Sequence, residues 1–210
     1  MTAVVVVIAV AAGAVASLVA AQLHEHRAHG VVAKAAASAG FVIVALLRAD
    51  LSVPYDRWVL AALVLCLAGD LLLALPRGFP LGLGSFLCGH VAYVLAFSVR
   101  LPLRAWPVAL VLPPLVVSAA VALWLAPHLG RLRAPVLVYV AVITVMVWGA
   151  VAVTTAGRGP WIVTAGAVLF YLSDFAVARD RLVTRTFASR VWGLPAYYLG
   201  QFLLALTVGR

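Results

Sequence analysis

Acidic residues are scarce in this chain. Six aspartates and glutamates stand against fifteen lysines and arginines in 210 residues, and a single one of the basic residues, Lys34, is a lysine. Charged residues amount to 10% and hydrophobic residues to 66%, with a mean hydropathy of +1.17. A soluble fold of this size must expose a large share of its area and could not hide that much apolar surface. Cysteine is equally rare: Cys66 and Cys88 both fall inside apolar runs, so no disulfide framework is expected and both read as small buried hydrophobes. No basic cluster is interleaved with aromatics, which sets nucleic acid aside. The net charge of +9 falls mostly between apolar runs and reads as anchoring to anionic lipid. Other signatures are missing too. There is no GxSxG elbow for a nucleophilic serine. The histidines of "HEHRAH" (His24, His26, His29) lack the spacing of a ligand helix such as HExxH, so no metal is expected. No strand precedes "GLGSF", so its glycines point to close helix packing and not to phosphate binding.

What is present is a series of apolar runs long enough to cross a bilayer, at 2–23, 31–47, 58–75, 81–99, 105–126, 134–155, 160–178 and 191–208. No lysine or arginine precedes the first run, and it exceeds a signal peptide's apolar region, so it reads as an uncleaved helix. The pattern predicts an all-α, multi-pass protein of the cell membrane, a single domain over 1–210 with eight transmembrane helices and both termini on one face. Pro113-Pro114 predicts a kink or break in the fifth helix. Six basic residues fall on the terminal face and nine on the other, which puts the 179–190 loop in the cytoplasm by the positive-inside rule.

Two aspartates, Asp70 and Asp174, lie inside these runs. Such a residue at a helix centre costs roughly 2.5–3.5 kcal/mol and normally faces a bundle interior or a wet cavity. Helices three and seven run toward the same face and bring both to nearly equal depth, in the half-membrane beside the 179–190 loop. Lys34, His90, Tyr93, Tyr197 and Gln201 fall in that same half. Residues 66–97 align without gaps on 170–201 at an offset of 104, with 8 of 32 positions identical, Asp70/Asp174 and Tyr93/Tyr197 among them. This suggests two parallel four-helix repeats, 1–104 and 105–210, that set the aspartates across a central cavity. Two carboxylates in a low-dielectric cavity cannot both ionise without penalty, so one is expected to serve as an acid and the other as base or electrostatic stabiliser. His90 is a further catalytic candidate. Lys34, Tyr93, Tyr197 and Gln201 are candidates for lining a substrate site.

On "GDLLLAL" (69–75), "FPLGLGSFLCGHVAY" (79–93), "GAVLFYLSD" (166–174) and "YYLGQFLL" (197–204), the chain resembles the YhhN-type lysoplasmalogenases, eight-helix membrane enzymes. The resemblance implies hydrolysis of the vinyl ether bond of lysoplasmalogens to a fatty aldehyde and a glycerophospho-base. It implies no cofactor, and a lysophospholipid and membrane lipid as partners. The competing expectations are a proton-coupled transporter using the same aspartates and a lipid-binding membrane protein without turnover.

Overall fold

The computed structural model describes residues 2–23, 27–184 and 186–210. Among them every regular element is helical and no strand occurs. Eight α-helices follow in order: α1 (Thr2–Leu23), α2 (Arg27–Leu46), α3 (Pro54–Ala74), α4 (Phe79–Arg100), α5 (Leu112–Leu125), α6 (Arg133–Thr155), α7 (Ile162–Ala178) and α8 (Phe187–Ala205). Most begin where the local chemistry says they should. Pro54 and Pro80 stand in the first turns of α3 and α4, where their missing N–H is no loss. Thr186 caps α8 by accepting a bond from the Ser189 N–H. A π-helical turn, Arg179–Val183, extends α7.

Among the described residues six helical stretches are long and apolar enough to cross a membrane: Thr2–Ala20, Pro54–Ala74, Phe79–Arg100, Val108–His128, Gly130–Thr155 and Ile162–Val183. With a rise of 1.5 Å per residue, about 20 residues match the ~30 Å hydrocarbon core. The protein is integral to the membrane. α2 offers a shorter apolar stretch, Gly30–Leu46, and α8 does not reach the same measure. These two helices carry Lys34, Ser38 and Gln201. The fifth predicted span is present as Val108–His128, and the expected kink or break takes the form of a change of helix type just before the prolines. Leu103–Ala105 and Val108–Val111 are 3₁₀ turns, and α5 starts at Leu112, so Pro113 and Pro114 lie in its first turn and do not break its middle. Proline is tolerated there and not in a helix interior.

The helix pairings close a ring: α2 packs on α3, α3 on α4, α4 on α6, α6 on α7, α7 on α8 and α8 on α2. α1 lies outside against α2 and α8, and α5 lies outside against α6. One end of the ring is clasped by polar bonds. Arg48 donates to the carbonyls of Leu206 and Val208 at 3.3 and 3.1 Å. Buried Asp56 accepts from the N–H groups of Asp50 and Gly209, each at 3.0 Å. Arg100 lies 3.6 Å over the Tyr55 ring and donates to the carbonyls of Arg158 and Arg210. The α2–α3 connection, the end of α4, the turn after α6 and the residues after α8 therefore meet. In that connection Ser52 donates to Asp50 from its hydroxyl and its N–H, which holds the Asp50 carboxyl below the usual carboxylate range.

Small residues set how closely α7 and α8 approach. A Cβ added at Gly200 would meet the Gly166 carbonyl oxygen at 2.9 Å and the Phe170 amide nitrogen at 3.0 Å. Backbone cannot step aside as a flexible side chain can. Gly200→Ala should therefore lower stability by about 1–3 kcal/mol, the usual cost of overpacking. Thermal or denaturant unfolding in detergent checks this, with Gly84→Ala, whose Cβ meets nothing within 4 Å, as the comparison that should lose no stability.

Candidate active site

Inside the ring, toward the α3–α4 and α7–α8 connections, lies a cavity of about 920 Å³. Five helices of the ring contribute polar side chains to it: Lys34 from α2, Asp70 from α3, Tyr139 from α6, Asp174 from α7 and Tyr197 from α8. The rest of the wall is largely apolar, with Leu73, Leu83, Phe86, Leu125 and Ile143 among its residues. Asp180, Arg181 and Ser189 line it near the α7–α8 connection.

Asp70 is nearly sealed, 2% exposed, and fully supplied with donors. Lys34 Nζ approaches Oδ1 at 2.9 Å. Ser38 Oγ and the Tyr197 hydroxyl donate to Oδ2 at 2.6 and 2.7 Å. Donors from α2 and α8 thus converge on an α3 carboxylate, the condition under which a buried charge is tolerable. The glycine before it has a local reason. A Cβ on Gly69 would fall 2.7 Å from the Phe86 ring, so glycine lets Phe86 pack beside the carboxylate.

Asp174 is 18% exposed and differently built. Tyr139 donates to its Oδ2 at 3.1 Å, and His90 Nε2 reaches the same oxygen at 3.1 Å. His90 Nε2 also lies 2.9 Å from the Tyr139 hydroxyl. The other ring nitrogen, Nδ1, faces Met146 Sδ at 3.2 Å. A thioether accepts but cannot donate, so this contact is a hydrogen bond in the tautomer that carries its hydrogen on Nδ1. The bonds of Asp174 all fall on Oδ2, leaving Oδ1 without a hydrogen bond among the described residues.

No hydrogen bond or ion pair joins the two aspartates among the described residues. The sequence expectation was an acid and a base or stabiliser facing one cavity; in the structure each carboxylate also has its own basic partner. Aromatic rings stand between the two clusters: Phe170 lies 4.4 Å from the His90 ring and 5.5 Å from Tyr197, with Phe86 at 6.2 Å. Of the predicted site residues, Lys34, Asp70, Asp174 and Tyr197 line the cavity. His90 is buried behind Asp174 and does not line it. Tyr93 and Gln201 do not line it either. Tyr93 donates to Gln201 Oε1 at 2.7 Å, and Gln201 reaches Cys66 Sγ at 3.6 Å, a link between α4, α8 and α3. Tyr93 lies one turn beyond His90, but its hydroxyl is spent on Gln201. Ser38 and Tyr139 were missed. Ser38 follows Lys34 by four residues and shares its helix face, a spacing the sequence offered. Tyr139 is a lone hydroxyl in the apolar run "VLVYVAVI". Among the described residues no three His, Cys, Asp or Glu side chains converge as a metal would require, and His24 and His26 lie outside those residues.

A profile of the YhhN family matches residues 29–208. The chain belongs to the YhhN family. It is 40% identical over 139 residues to a protein named lysoplasmalogenase in Mycobacterium bovis, a match covering 60% of this chain and 51% of that protein. It is 31% identical over 157 residues to the mouse protein named lysoplasmalogenase TMEM86B, covering 74% and 65%. To the uncharacterized membrane protein YhhN of Escherichia coli O157:H7 it is 29% identical over 153 residues, covering 70% and 71%. The chain thus spans about half the length of the mycobacterial relative. No solved structure matches. Every polar residue of the cavity cluster described here falls within the family match, which starts only five residues before Lys34.

The Asp70 cluster makes a stability prediction independent of any reaction. Lys34→Met removes the cation and leaves a sealed carboxylate, which costs about 3–5 kcal/mol for a buried pair. The loss should fall at the low end, because Lys34 is 19% exposed. Adding Asp70→Asn should return part of it. A double-mutant cycle on unfolding in nanodiscs measures the coupling.

Proposed function

We propose that this chain hydrolyses the vinyl ether bond of lysoplasmalogen-type lysophospholipids, releasing a fatty aldehyde and a glycerophospho-base. The relatives named lysoplasmalogenase support the reaction class. The observation that carries it to these residues is Asp174: one oxygen held by His90 and Tyr139, the other free, in an apolar cavity it shares with an ion-paired Asp70. In this reading Asp174 gives its proton to the β-carbon of the vinyl ether, whose π electrons form the new C–H bond and leave an oxocarbenium ion. Water adds to the ether carbon and passes a proton to Asp70. The hemiacetal then collapses: its hydroxyl loses a proton, the glycerol oxygen gains one, and the C–O bond breaks. The proton held by Asp70 returns to Asp174 through water at the cavity mouth. His90 and Tyr139 position the acid, and Lys34, Ser38 and Tyr197 fix the base.

The same reading takes all eight helices as spans of the cell membrane, in two parallel repeats. Support comes from the clasp that gathers the even-to-odd connections and the C-terminal residues at one end. The correspondence of the α3–α4 and α7–α8 pairings at the offset of 104 supports it too.

Purified protein should release aldehyde from a lysoplasmalogen and none from the saturated ether lysolipid, which has no π electrons to accept a proton. Asp174→Asn and Asp70→Asn should each lose about 10²–10⁴-fold in turnover. His90→Gln should lose less. Near wild-type rates in either aspartate variant, normalised to folded protein, would make that residue a structural clamp.

A further inference from the structure

The reacting double bond of such a substrate has unlike ends, a glycerophospho-group on the ether oxygen and a hydrocarbon chain on the β-carbon. The cavity border at Asp180, Arg181 and Ser189 suits the first. A second hollow, about 220 Å³, lies between α4 and α6. Leu83, Gly84 and Leu87 of α4 and Pro135, Val138 and Tyr139 of α6 line it. Its one polar group, the Tyr139 hydroxyl, is turned away to Asp174 and His90. Leu83 and Tyr139 line both spaces, so a single layer of side chains separates the hollow from the cavity beside Asp174. Val138, 52% exposed, stands on the outer surface at its rim. On a membrane-spanning bundle that surface meets lipid.

Gly84 gives a second, independent sign. Gly82 and Gly89 on the same helix are hemmed in by Leu73 and by Cys66, so packing explains them. A Cβ on Gly84 would meet nothing within 4 Å. Glycine inside a helix is destabilising relative to alanine, and here no neighbour requires it. Gly84 borders the slot, so a larger side chain at this position would enter it.

Resting on the lysolipid reading above, we propose that this slot is a lateral portal for the substrate's hydrocarbon chain. The chain lies across Gly84 between α4 and α6, and its first carbons pass Leu83 to reach Asp174. Tyr139, pinned by two hydrogen bonds, is the fixed jamb. Leu83, held only by packing, is the part that swings, a rotamer change on the ps–ns scale where a side chain is exposed. The aldehyde, which keeps the chain, leaves by the same route into lipid, while the water-soluble glycerophospho-base departs at the polar border.

The test is chain-length selectivity. Gly84→Phe places a ring in the slot from a position where a Cβ meets nothing within 4 Å, and Gly84→Ala leaves the slot open. Gly84→Phe should lower kcat/KM for a long-chain lysoplasmalogen by about 10–200-fold relative to a short-chain one, the range that fit in a hydrophobic pocket commands. Gly84→Ala should leave the ratio unchanged. Equal losses for both chains, or no loss, would overturn the portal. A second measurement does not need turnover. A lysolipid carrying a photoreactive diazirine at its chain end should label residues 80–87 and 135–139 of the wild-type protein. Labelling confined to other helices would overturn the portal with the hydrolysis reading intact. Labelling there in a protein that releases no aldehyde would sustain the portal and end that reading.

Discussion

A carboxylate inside an apolar helix bundle is tolerable only when donors are brought to it, and that requirement organises this molecule. Asp70 is reached by Lys34 and Ser38 from α2 and by Tyr197 from α8. Asp174 is reached by His90 from α4 and Tyr139 from α6. The six helices that supply an acid or its donors are the six whose packings close the ring. The two that supply none, α1 and α5, lie outside it. Apolar burial drives no specific arrangement between helices in lipid, so polar bonds and close backbone approach carry more of the specificity than in a soluble core.

The two ends of the ring are built for different tasks. At one end arginines and Asp56 bind backbone groups of the connections and of the residues after α8, which ties that end shut. At the other, the cavity reaches the α3–α4 and α7–α8 connections. Between them, Phe170 and Phe86 hold the two acidic clusters apart. Separation matters for the chemistry proposed. Both carboxylates line one cavity, and the reaction proposed places a lysolipid bond and a water between them there.

Much of this was legible in the sequence because lipid makes polar residues conspicuous. An aspartate in "LAGDLLLAL" or "LFYLSDFAV" must be either a polar clamp or part of a site, and helix direction alone put the two at one end. Helix boundaries followed apolar runs, except at Pro113-Pro114, where proline's place in a first turn outweighed the hydropathy of the residues before it. Side-chain direction was not legible. Tyr93 and His90 share a face by spacing, yet one meets Gln201 and the other Asp174, because different partner helices approach successive turns. Tyr139 was hidden because one hydroxyl in an apolar run signals nothing until the helix opposite is known. The repeat predicted equivalence, but the partners differ: Tyr197 serves Asp70, while the equivalent Tyr93 leaves Asp174 to His90.

The central claim is that a proton passes from Asp174 to carbon. Turnover of a lysoplasmalogen in heavy water, with the aldehyde trapped as it forms and read by mass spectrometry, tests this most directly. The account predicts one deuterium on the carbon beside the aldehyde carbonyl, with incorporation lost along with turnover in Asp174→Asn. Aldehyde released without that deuterium, or with it undiminished in the Asp174 variant, would contradict the account.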